Sequence, residues 1–157
     1  MLCLMDSVRM NFIMPYLKQF APHGFVRKQD TQKAMREAAD KYQIKMHSME
    51  QLAVQLSGGN QQKVLMARIT YGTPEIFLLD EPTRGIDVSV KQEIYREIIR
   101  LAEEGHAIVL VTSELPEMLG LADRVLVMNH HTIAAELEKE QMEEETVMYY
   151  ATGGNLV

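Results

Sequence analysis

The sequence predicts an α/β fold with a mostly parallel sheet, flanking helices and a separate helical layer. From residue 76 onward, short aliphatic and β-branched runs alternate with helical periodicities. That alternation is typical of parallel strands linked by helices. Between residues 30 and 71 the patterns are helical only. We therefore expect residues 1–72 to form an irregular start and a helical subdomain, and residues 73–157 to form the α/β core with a C-terminal helix.

The composition indicates one globular domain. The chain has 157 residues, of which 46% are apolar and 24% charged, and this length is enough to bury a core. No run approaches the roughly 18 apolar residues of a membrane-spanning helix. Charged and polar residues interrupt residues 1–14, so we expect no signal peptide. The single cysteine, Cys3, cannot form an internal disulfide and is typical of a reducing compartment.

Charge is concentrated near the C-terminus. The net charge is −6, and residues 136–145 hold six glutamates against a single lysine. The rest of the chain is nearly neutral and shows no basic footprint for nucleic acid. We interpret the acidic run as a solvated helix face, with an interaction tail as the alternative.

The first 28 residues show no sustained period, so no element is predicted there. Asp30 is expected to cap a helix from Thr31 to Tyr42. Its packing stripe comprises small or flexible apolar residues: Ala34, Met35, Ala38 and Ala39. A small helical turn is expected over 49–53.

Ser57 is expected to cap a longer helix that Gly72 and Pro74 terminate. Its predicted apolar face comprises Val64, Leu65 and Ile69.

Two fully buried strands are predicted, over 76–79 and 107–111, because both runs are continuous and apolar. Between them Asp87 is expected to cap a helix that closes at Gly105. The apolar positions of that helix recur at helical spacing: Val90, Ile94, Ile98 and Leu101.

The last third of the sequence predicts a short helix, two strands and a final helix. Pro116 is expected in the first turn of a helix that ends near Ala122. Strands over 124–128 and 132–135 follow, joined by Asn129-His130-His131. The final helix is expected over 139–150.

Two adjacent carboxylates follow the first predicted strand. Asp80 and Glu81 come directly after Ile76-Phe77-Leu78-Leu79 and precede Pro82-Thr83. A buried strand delivers such groups to the carboxyl edge of a sheet, where α/β proteins bind ligands. The alternative is that both acids simply end a strand.

A second motif suits an anion. Leu56-Ser57-Gly58-Gly59-Asn60-Gln61-Gln62-Lys63 combines a helix cap with two glycines that permit close backbone approach. Unpaired N–H groups and the partial positive charge of a helix start favour phosphate there. Taken alone, the motif is only a capping signal; its position 23 residues before Asp80 favours the phosphate interpretation.

Together these motifs resemble the signature and Walker B motifs of ABC-transporter ATPases. The second segment continues as Asp80-Glu81-Pro82-Thr83-Arg84-Gly85-Ile86-Asp87. Together with the segment that starts at Leu56, it is similar to the C-terminal (second) nucleotide-binding domain of bacterial monosaccharide importers of the ribose, galactose and xylose type. Ser113-Glu114-Leu115-Pro116-Glu117, where the family usually has a histidine, is also that subfamily's pattern. The resemblance covers nearly the whole chain, from about residue 30 to 154. It implies a partial P-loop NTPase (ABC ATPase) domain.

The resemblance also implies roles for individual residues. Ser57, Gly58, Gly59, Asn60 and Gln61 would contact the γ-phosphate of ATP held on a partner domain, across a head-to-tail dimer. Asp80 would bind Mg²⁺ through water, and Glu81 would be catalytic.

Two further positions are implied by the same family. Asp87 resembles the D-loop aspartate, which in the family lies at the dimer interface. The sequence also predicts that Asp87 is an ordinary helix N-cap, and both roles can hold together. Ser113 stands where the histidine contacts the γ-phosphate, and serine cannot carry positive charge. Asn129-His130-His131-Thr132 replaces a turn that usually contains glycine.

The sequence contains no G-x-x-x-x-G-K-[ST] phosphate loop, or Walker A motif. We therefore expect no ATP hydrolysis by the isolated chain. A truncated or frameshifted gene, a misplaced start codon and a split subunit are open explanations. Because the missing strand normally occupies the sheet centre, we also expect an exposed apolar sheet edge and a marginally stable or sticky chain.

The leading prediction is an ATP-binding component of an ABC-type monosaccharide importer, in which ATP hydrolysis drives sugar transport. It implies ATP and Mg²⁺ as cofactors and a second nucleotide-binding domain with Walker A as partner. It also implies membrane permease subunits and, indirectly, a periplasmic or lipoprotein sugar-binding protein. The expected location is cytoplasmic, on the inner face of the plasma membrane, with no nucleic-acid partner.

Two alternatives differ in class. One is a truncated non-catalytic scaffold or regulatory module that pairs with another nucleotide-binding domain. The other is a soluble ABC protein of translation or repair, which the absence of a basic patch disfavours.

Overall fold

The structure is a computed structural model that describes residues 2–22 and 24–154. The outer ends of the two predicted domains, residues 1 and 155–157, lie outside the described residues. In chain order the helices and strands are α1 (Val8–Ile13), α2 (Leu17–Phe20), α3 (Lys28–Tyr42), α4 (Gly58–Tyr71), β1 (Ile76–Asp80), α5 (Val88–Glu103), β2 (Ala107–Val111), α6 (Leu115–Leu121), β3 (Arg124–Asn129), β4 (Thr132–Glu138) and α7 (Glu144–Ala151). No helix in this part of the chain is long and apolar enough to cross a membrane.

The N-terminal segment, left without an element by the sequence, forms the helix α1. It begins after Ser7, whose Oγ accepts a hydrogen bond of 3.1 Å from Met10 N. Asn11 is fully buried in it and exchanges two hydrogen bonds with the Cys3 backbone, of 2.7 and 2.9 Å. These bonds satisfy the buried amide, so a polar residue sits in the core at little cost in free energy.

Helix α3 confirms the predicted stripe and corrects the predicted start. The four stripe residues are all buried: Ala34, Met35, Ala38 and Ala39. The helix begins at Lys28, so Asp30 lies in its first turn and is not the cap. A carboxylate there still interacts favourably with the helix dipole. The helical turn expected over 49–53 lies slightly later, at Ala53–Gln55.

Helix α4 is capped by Ser57 and ends before Gly72, as predicted. Its buried face differs from the prediction, since Leu65 and Ile69 are only half-buried. The helix packs on two sides: Val64 and Ala67 join a cluster with α1 and α3, whereas Met66 joins a cluster with β1 and α5. A helix with two neighbours buries a wider arc than a single stripe.

Strands β1 and β2 pair in parallel, with Leu78 opposite Val109 and Asp80 opposite Val111. The α/β class and the parallel pairing are therefore confirmed. Helix α5 packs on one face of this pair, through apolar residues of both: Phe77, Leu79, Ile94, Ile98 and Leu101.

The prediction of two fully buried strands is wrong. Burial alternates along β1, and the side chains of Leu78 and Val109 are 77% and 52% exposed. Within the described residues only one face of the parallel pair is covered by helices. The result is a bare apolar face, which we call the open sheet face; it comprises Ile76, Leu78, Val109 and Val111. The sequence predicts an exposed apolar sheet edge. The structure also exposes an apolar face of the strand pair.

Strands β3 and β4 form a separate antiparallel hairpin covered by α7. His130 and His131 in its turn have positive φ angles of 43° and 65°. Strand β4 runs to Glu138, beyond the expected end at residue 135, and α7 begins at Glu144 and not at residue 139. Glu136 and Glu138 therefore lie on a strand, which corrects the assignment of the whole acidic run to a helix.

Candidate functional site

The start of α4 combines a serine that caps the helix with backbone N–H groups that have no intrahelical partner. Ser57 is extended, and its Oγ accepts from Asn60 Nδ2 at 2.9 Å and from Asn60 N at 3.4 Å. Both acceptor positions of the hydroxyl are thereby used, and its proton has no acceptor in the part of the chain that the structure describes. The N–H groups of Gly58 and Gly59 open the helix and have no intrahelical partner. The Ser57 hydroxyl and the Gly58 N–H are therefore available at one exposed helix start, and Gly59, which is buried, adds an N–H group without an intrahelical partner.

The side chains of Asn60 and Gln61 hold residues 56–61 in place through hydrogen bonds to the backbone of preceding segments. Asn60 Oδ1 accepts from Lys45 N at 2.7 Å. Gln61 Nε2 donates to the carbonyl oxygens of Ala53 and Leu56, at 3.2 and 3.1 Å. The side-chain amides thus fix the loop to the segments before it. We call residues 56–61 the Ser57 loop.

The two glycines place the Ser57 loop against the start of α5. A Cβ atom on Gly59 would lie 2.9 Å from Val90 Cγ2, closer than real side chains approach. A Cβ atom on Gly58 would lie 4.0 Å from the carbonyl oxygen of Gly85 and from Ile86 Cγ2. The first turns of α4 and α5 are therefore in direct contact, and Gly59 is required for that approach.

Asp80, Glu81 and Ser113 lie at the carboxyl ends of the two parallel strands. Asp80 is paired with Val111, and Glu81 N donates to the Val111 carbonyl at 2.8 Å. Asp80 and Ser113 are exposed, and Glu81 is half-buried. Glu81 has a φ of 45°, a left-handed conformation that costs a non-glycine residue free energy and is typical of functional turns.

Asp87 caps α5, as predicted. Its carboxylate accepts from the Ser89 hydroxyl, from Val90 N at 3.1 Å and from Ser89 N at 3.0 Å. The Ser89 hydroxyl, followed by the Val90 amide, lowers the pKa of Asp87 below its ordinary value. The carboxylate is exposed and ionised at neutral pH, immediately beside the Ser57 loop.

The structure groups the predicted residues into two neighbouring sets. The Ser57 loop meets the turn at Gly85–Asp87, and Asp80, Glu81 and Ser113 share the strand ends. Within residues 2–22 and 24–154, no group of three or more His, Cys, Asp or Glu side chains is arranged to hold a metal ion. A Mg²⁺ ion in a nucleotide site needs only one or two carboxylates together with substrate phosphates. The exposed carboxylate of Asp80, at a strand end, fits that requirement.

Sequence reasoning missed a buried contact behind the site. Thr83 Oγ1 donates to Glu117 Oε1 at 3.0 Å, and both residues are 1% exposed. Nearby, the Lys91 ammonium donates to both oxygens of Glu114; this hydrogen bond raises the pKa of Lys91. The only available signal was an acidic residue, Glu117, inside a short apolar helix.

A polar network joins the helical layer to α5. The Tyr42 hydroxyl donates to Glu97 and lies 2.6 Å from Thr70 Oγ1. Burial, followed by the bond to Glu97, raises the pKa of Tyr42. Burial alone would raise the pKa of Glu97, but bonds from Arg100 and Tyr42 lower it overall. The network therefore links α3, α4 and α5 through a neutral tyrosine and an ionised glutamate.

Comparison with known proteins places this geometry in a family. Residues 5–84 match the family described as ABC transporter. The chain is 44% identical over 153 residues to the ribose import ATP-binding protein RbsA of Bacillus licheniformis, covering 98% of this chain and 31% of that protein. It is 42% identical over 149 residues to RbsA of Oceanobacillus iheyensis, covering 95% of this chain and 30% of that protein. The chain thus spans less than a third of the length of these curated relatives.

A solved structure supports the fold. The dimeric post-hydrolysis state of the ATP-binding cassette MJ0796, bound to ADP and Pi, aligns with a TM-score of 0.73 at 22% identity. The alignment covers 88% of this chain and 59% of that one. At this identity the likeness establishes the architecture, an ATP-binding cassette fold.

Proposed function

The chain belongs to the ABC transporter family, and from this membership we propose that it is the C-terminal part of the ATP-binding component of a monosaccharide importer. ATP-binding domains of this family bind nucleotide and hydrolyse ATP. Two relatives that align along nearly the whole chain are named for ribose import. The proposed role of this chain is to supply the Ser57 loop to an ATP site completed by a second nucleotide-binding domain.

The observation that carries the proposal is the set of donors at the start of α4. The Ser57 hydroxyl proton and the N–H groups of Gly58 and Gly59 take no part in the bonds that fix the loop. Such a group of donors, reinforced by the helix dipole, stabilises a phosphate. Because Asn60 and Gln61 hold the loop beforehand, little conformational entropy is lost on binding.

The strand ends would serve the chain's own nucleotide site, which the family pattern separates from the site that the Ser57 loop completes. The Ser57 loop would therefore matter more for turnover in the mixture than Asp80 and Glu81. We propose that Asp80 is the protein ligand of Mg²⁺ through water, and that Glu81 orients the attacking water. Mg²⁺, when bound, neutralises charge that develops on the phosphoryl oxygens. Asp87 would contact the partner domain beside the Ser57 loop. Ser113 can donate or accept a hydrogen bond but adds no positive charge, so this site would be weaker than one with histidine there.

The proposed assembly follows from the same role. The partner is a nucleotide-binding domain that contains Walker A, since this sequence does not contain that motif. The pair would dock on membrane permease subunits at the inner face of the plasma membrane. A periplasmic or lipoprotein sugar-binding protein would be reached only through the permease. The division into a helical subdomain (1–72) and an α/β core (73–157) belongs to the same proposal.

The test is Mg-ATP turnover by the purified chain, alone and mixed with a nucleotide-binding domain that has an intact phosphate loop. We expect turnover only in the mixture. Ser57→Asp should abolish it, because aspartate preserves the cap but repels phosphate. Ser57→Asn is the matched control, since asparagine preserves the cap, stays neutral and keeps a donor; it should retain a measurable rate.

The opposite results favour a different role. Turnover that is insensitive to Ser57→Asp would contradict the composite site. A wild-type mixture that binds but does not turn over ATP would favour the non-catalytic scaffold or regulatory module, which the serine at position 113 also suits.

A further inference from the structure

The strongest unassigned feature is the buried carboxyl group of Glu117 in the first turn of α6. Its Oε1 accepts from Thr83 Oγ1 at 3.0 Å. Its Oε2 is buried and has no hydrogen-bond partner among residues 2–22 and 24–154. A buried acidic oxygen without a partner lowers stability, and an apolar side chain of similar size would avoid that penalty. An unsatisfied group of this kind indicates a role other than stability.

Thr83 is at the centre of the turn that carries the proposed catalytic groups. Its carbonyl accepts from Ile86 N at 3.4 Å, and Arg84 N donates to the Glu81 carbonyl at 3.2 Å. These two backbone bonds are long and comparatively weak. The Glu81 N–Val111 carbonyl bond of 2.8 Å ties the start of this turn, residues 81–87, to β2, and the Thr83 side chain ties its middle to α6.

A second link acts on the same side. Lys91, one turn into α5, forms an ion pair with Glu114, which directly follows Ser113. The start of α6 is thus tied to the turn through Glu117 and to α5 through Glu114. The first tie connects the Ser113 segment to the turn that runs from Glu81 to Asp87, and the second connects it to the helix that follows that turn.

We propose that Glu117 is a positioning residue, which holds the 81–87 turn against α6 through Thr83 and so fixes Glu81 and Asp87 relative to Ser113. The inference deepens the proposed function and rests on it for its catalytic consequence. Its structural consequence, an ordered turn, stands without any assumption about ATP. Loss of the Thr83–Glu117 bond should loosen the turn while the Ser57 loop, held by Asn60 and Gln61, stays unchanged.

The first experiment measures amide hydrogen exchange of the full chain without nucleotide. Thr83→Val, which is nearly isosteric, and Glu117→Ala should each speed exchange in residues 81–87 by about tenfold, the size expected for loss of a buried hydrogen bond. Glu117→Gln keeps an acceptor for Thr83 and should restore slow exchange. Combining Thr83→Val with Glu117→Ala should add nothing, because both remove the same bond. Glu103→Gln, an exposed change on α5, is the control.

The inference is overturned if Thr83→Val leaves exchange of residues 81–87 at the wild-type rate. It is also overturned if Glu117→Gln exchanges as fast as Glu117→Ala, because an acceptor retained for Thr83 would then make no difference to the turn.

The second experiment measures ATP turnover in the mixture with a domain that contains Walker A. Thr83→Val should lower kcat about tenfold and leave KM for ATP within twofold, because the loosened turn would displace Asp87 beside the Ser57 loop. Glu117→Gln should retain most of the rate. An equal loss through KM would contradict positioning of the catalytic turn. If the wild-type mixture shows no turnover, the proposed function fails, and the exchange result alone decides the role of Glu117.

Discussion

Gly59 on α4 faces Val90 on α5 at a distance that leaves no room for a methyl group: a Cβ atom there would be 2.9 Å from Val90 Cγ2. Valine in a helix has one strongly preferred rotamer and cannot easily move aside. The two residues therefore define how closely the Ser57 loop approaches the turn at Asp87. This contact joins the Ser57 loop to the start of α5.

Gly59→Ala should destabilise the chain although alanine is the better helix former. The helix propensity gain is about 1 kcal/mol, whereas overpacking costs about 1–3 kcal/mol. We expect the free energy of unfolding, measured with urea, to fall by about 1 kcal/mol. Gly58→Ala is the matched control, since its Cβ atom would have 4.0 Å to its nearest neighbours. In a Val90→Ala background Gly59→Ala should become stabilising; equal effects in both backgrounds would contradict the contact.

Tyr42→Phe should weaken the joint between the helical layer and α5. The hydroxyl bonds Glu97 and Thr70 in a half-buried site, and its loss should lower the free energy of unfolding by about 1–2 kcal/mol. Tyr95→Phe makes the same chemical change at a hydroxyl without a hydrogen bond in the described residues. That control should stay within about 0.5 kcal/mol of wild type. Equal effects of the two substitutions would argue against the network.

Acid should remove the contribution of Asp87. Its pKa is lower in the folded chain than its ordinary value of 3.8, so the carboxylate stabilises the fold above that value. The contribution is lost as the pH falls through the lower, folded pKa. Urea midpoints of wild type and Asp87→Asn, measured from pH 7 to pH 2, should therefore converge towards acid pH. A constant difference across this range would show that the charge of Asp87 adds nothing.

The open sheet face should make the isolated chain associate. Leu78 is 77% exposed and lies beside Val109 on that face, and clustered apolar side chains of this kind promote self-association. Leu78→Lys should lower the average mass seen by light scattering at high concentration and leave the urea midpoint nearly unchanged. Phe25→Lys, at an apolar side chain that is 85% exposed but lies outside the open sheet face, should have a smaller effect. A wild-type chain that stays monomeric would contradict the expectation.

The sequence was sufficient where one local signal dominated. Ser57 and Asp87 were identified as caps because each precedes a helical periodicity, and both caps are confirmed. The stripe of α3 was readable because the helix buries one face. The strand ends at Asp80 and Ser113 followed from two continuous apolar runs.

The remainder depends on partners that are distant in sequence. Helix α1 was missed because the bonds that satisfy Asn11 come from Cys3 and not from a periodic pattern. The Thr83–Glu117 contact joins residues 34 positions apart, and no local property of either residue indicates it. Burial of β1 was overestimated because an apolar run does not reveal whether both faces find a covering layer. The boundary near residue 72 stays a prediction, and Val64 and Met66 of α4 contribute to two different clusters.

The hydroxyl of Tyr16 closes the end of α4. It donates to the Arg68 carbonyl at 2.7 Å and accepts from Gly72 N at 3.1 Å, across 52 and 56 residues of sequence. On the ribosome a chain emerges from its N-terminal side and folds in units as it does so. Tyr16 is therefore already outside when Gly72 leaves the exit tunnel, and the helix can be terminated before β1 has emerged. The helical layer can therefore fold during synthesis, before the strands that complete the core emerge.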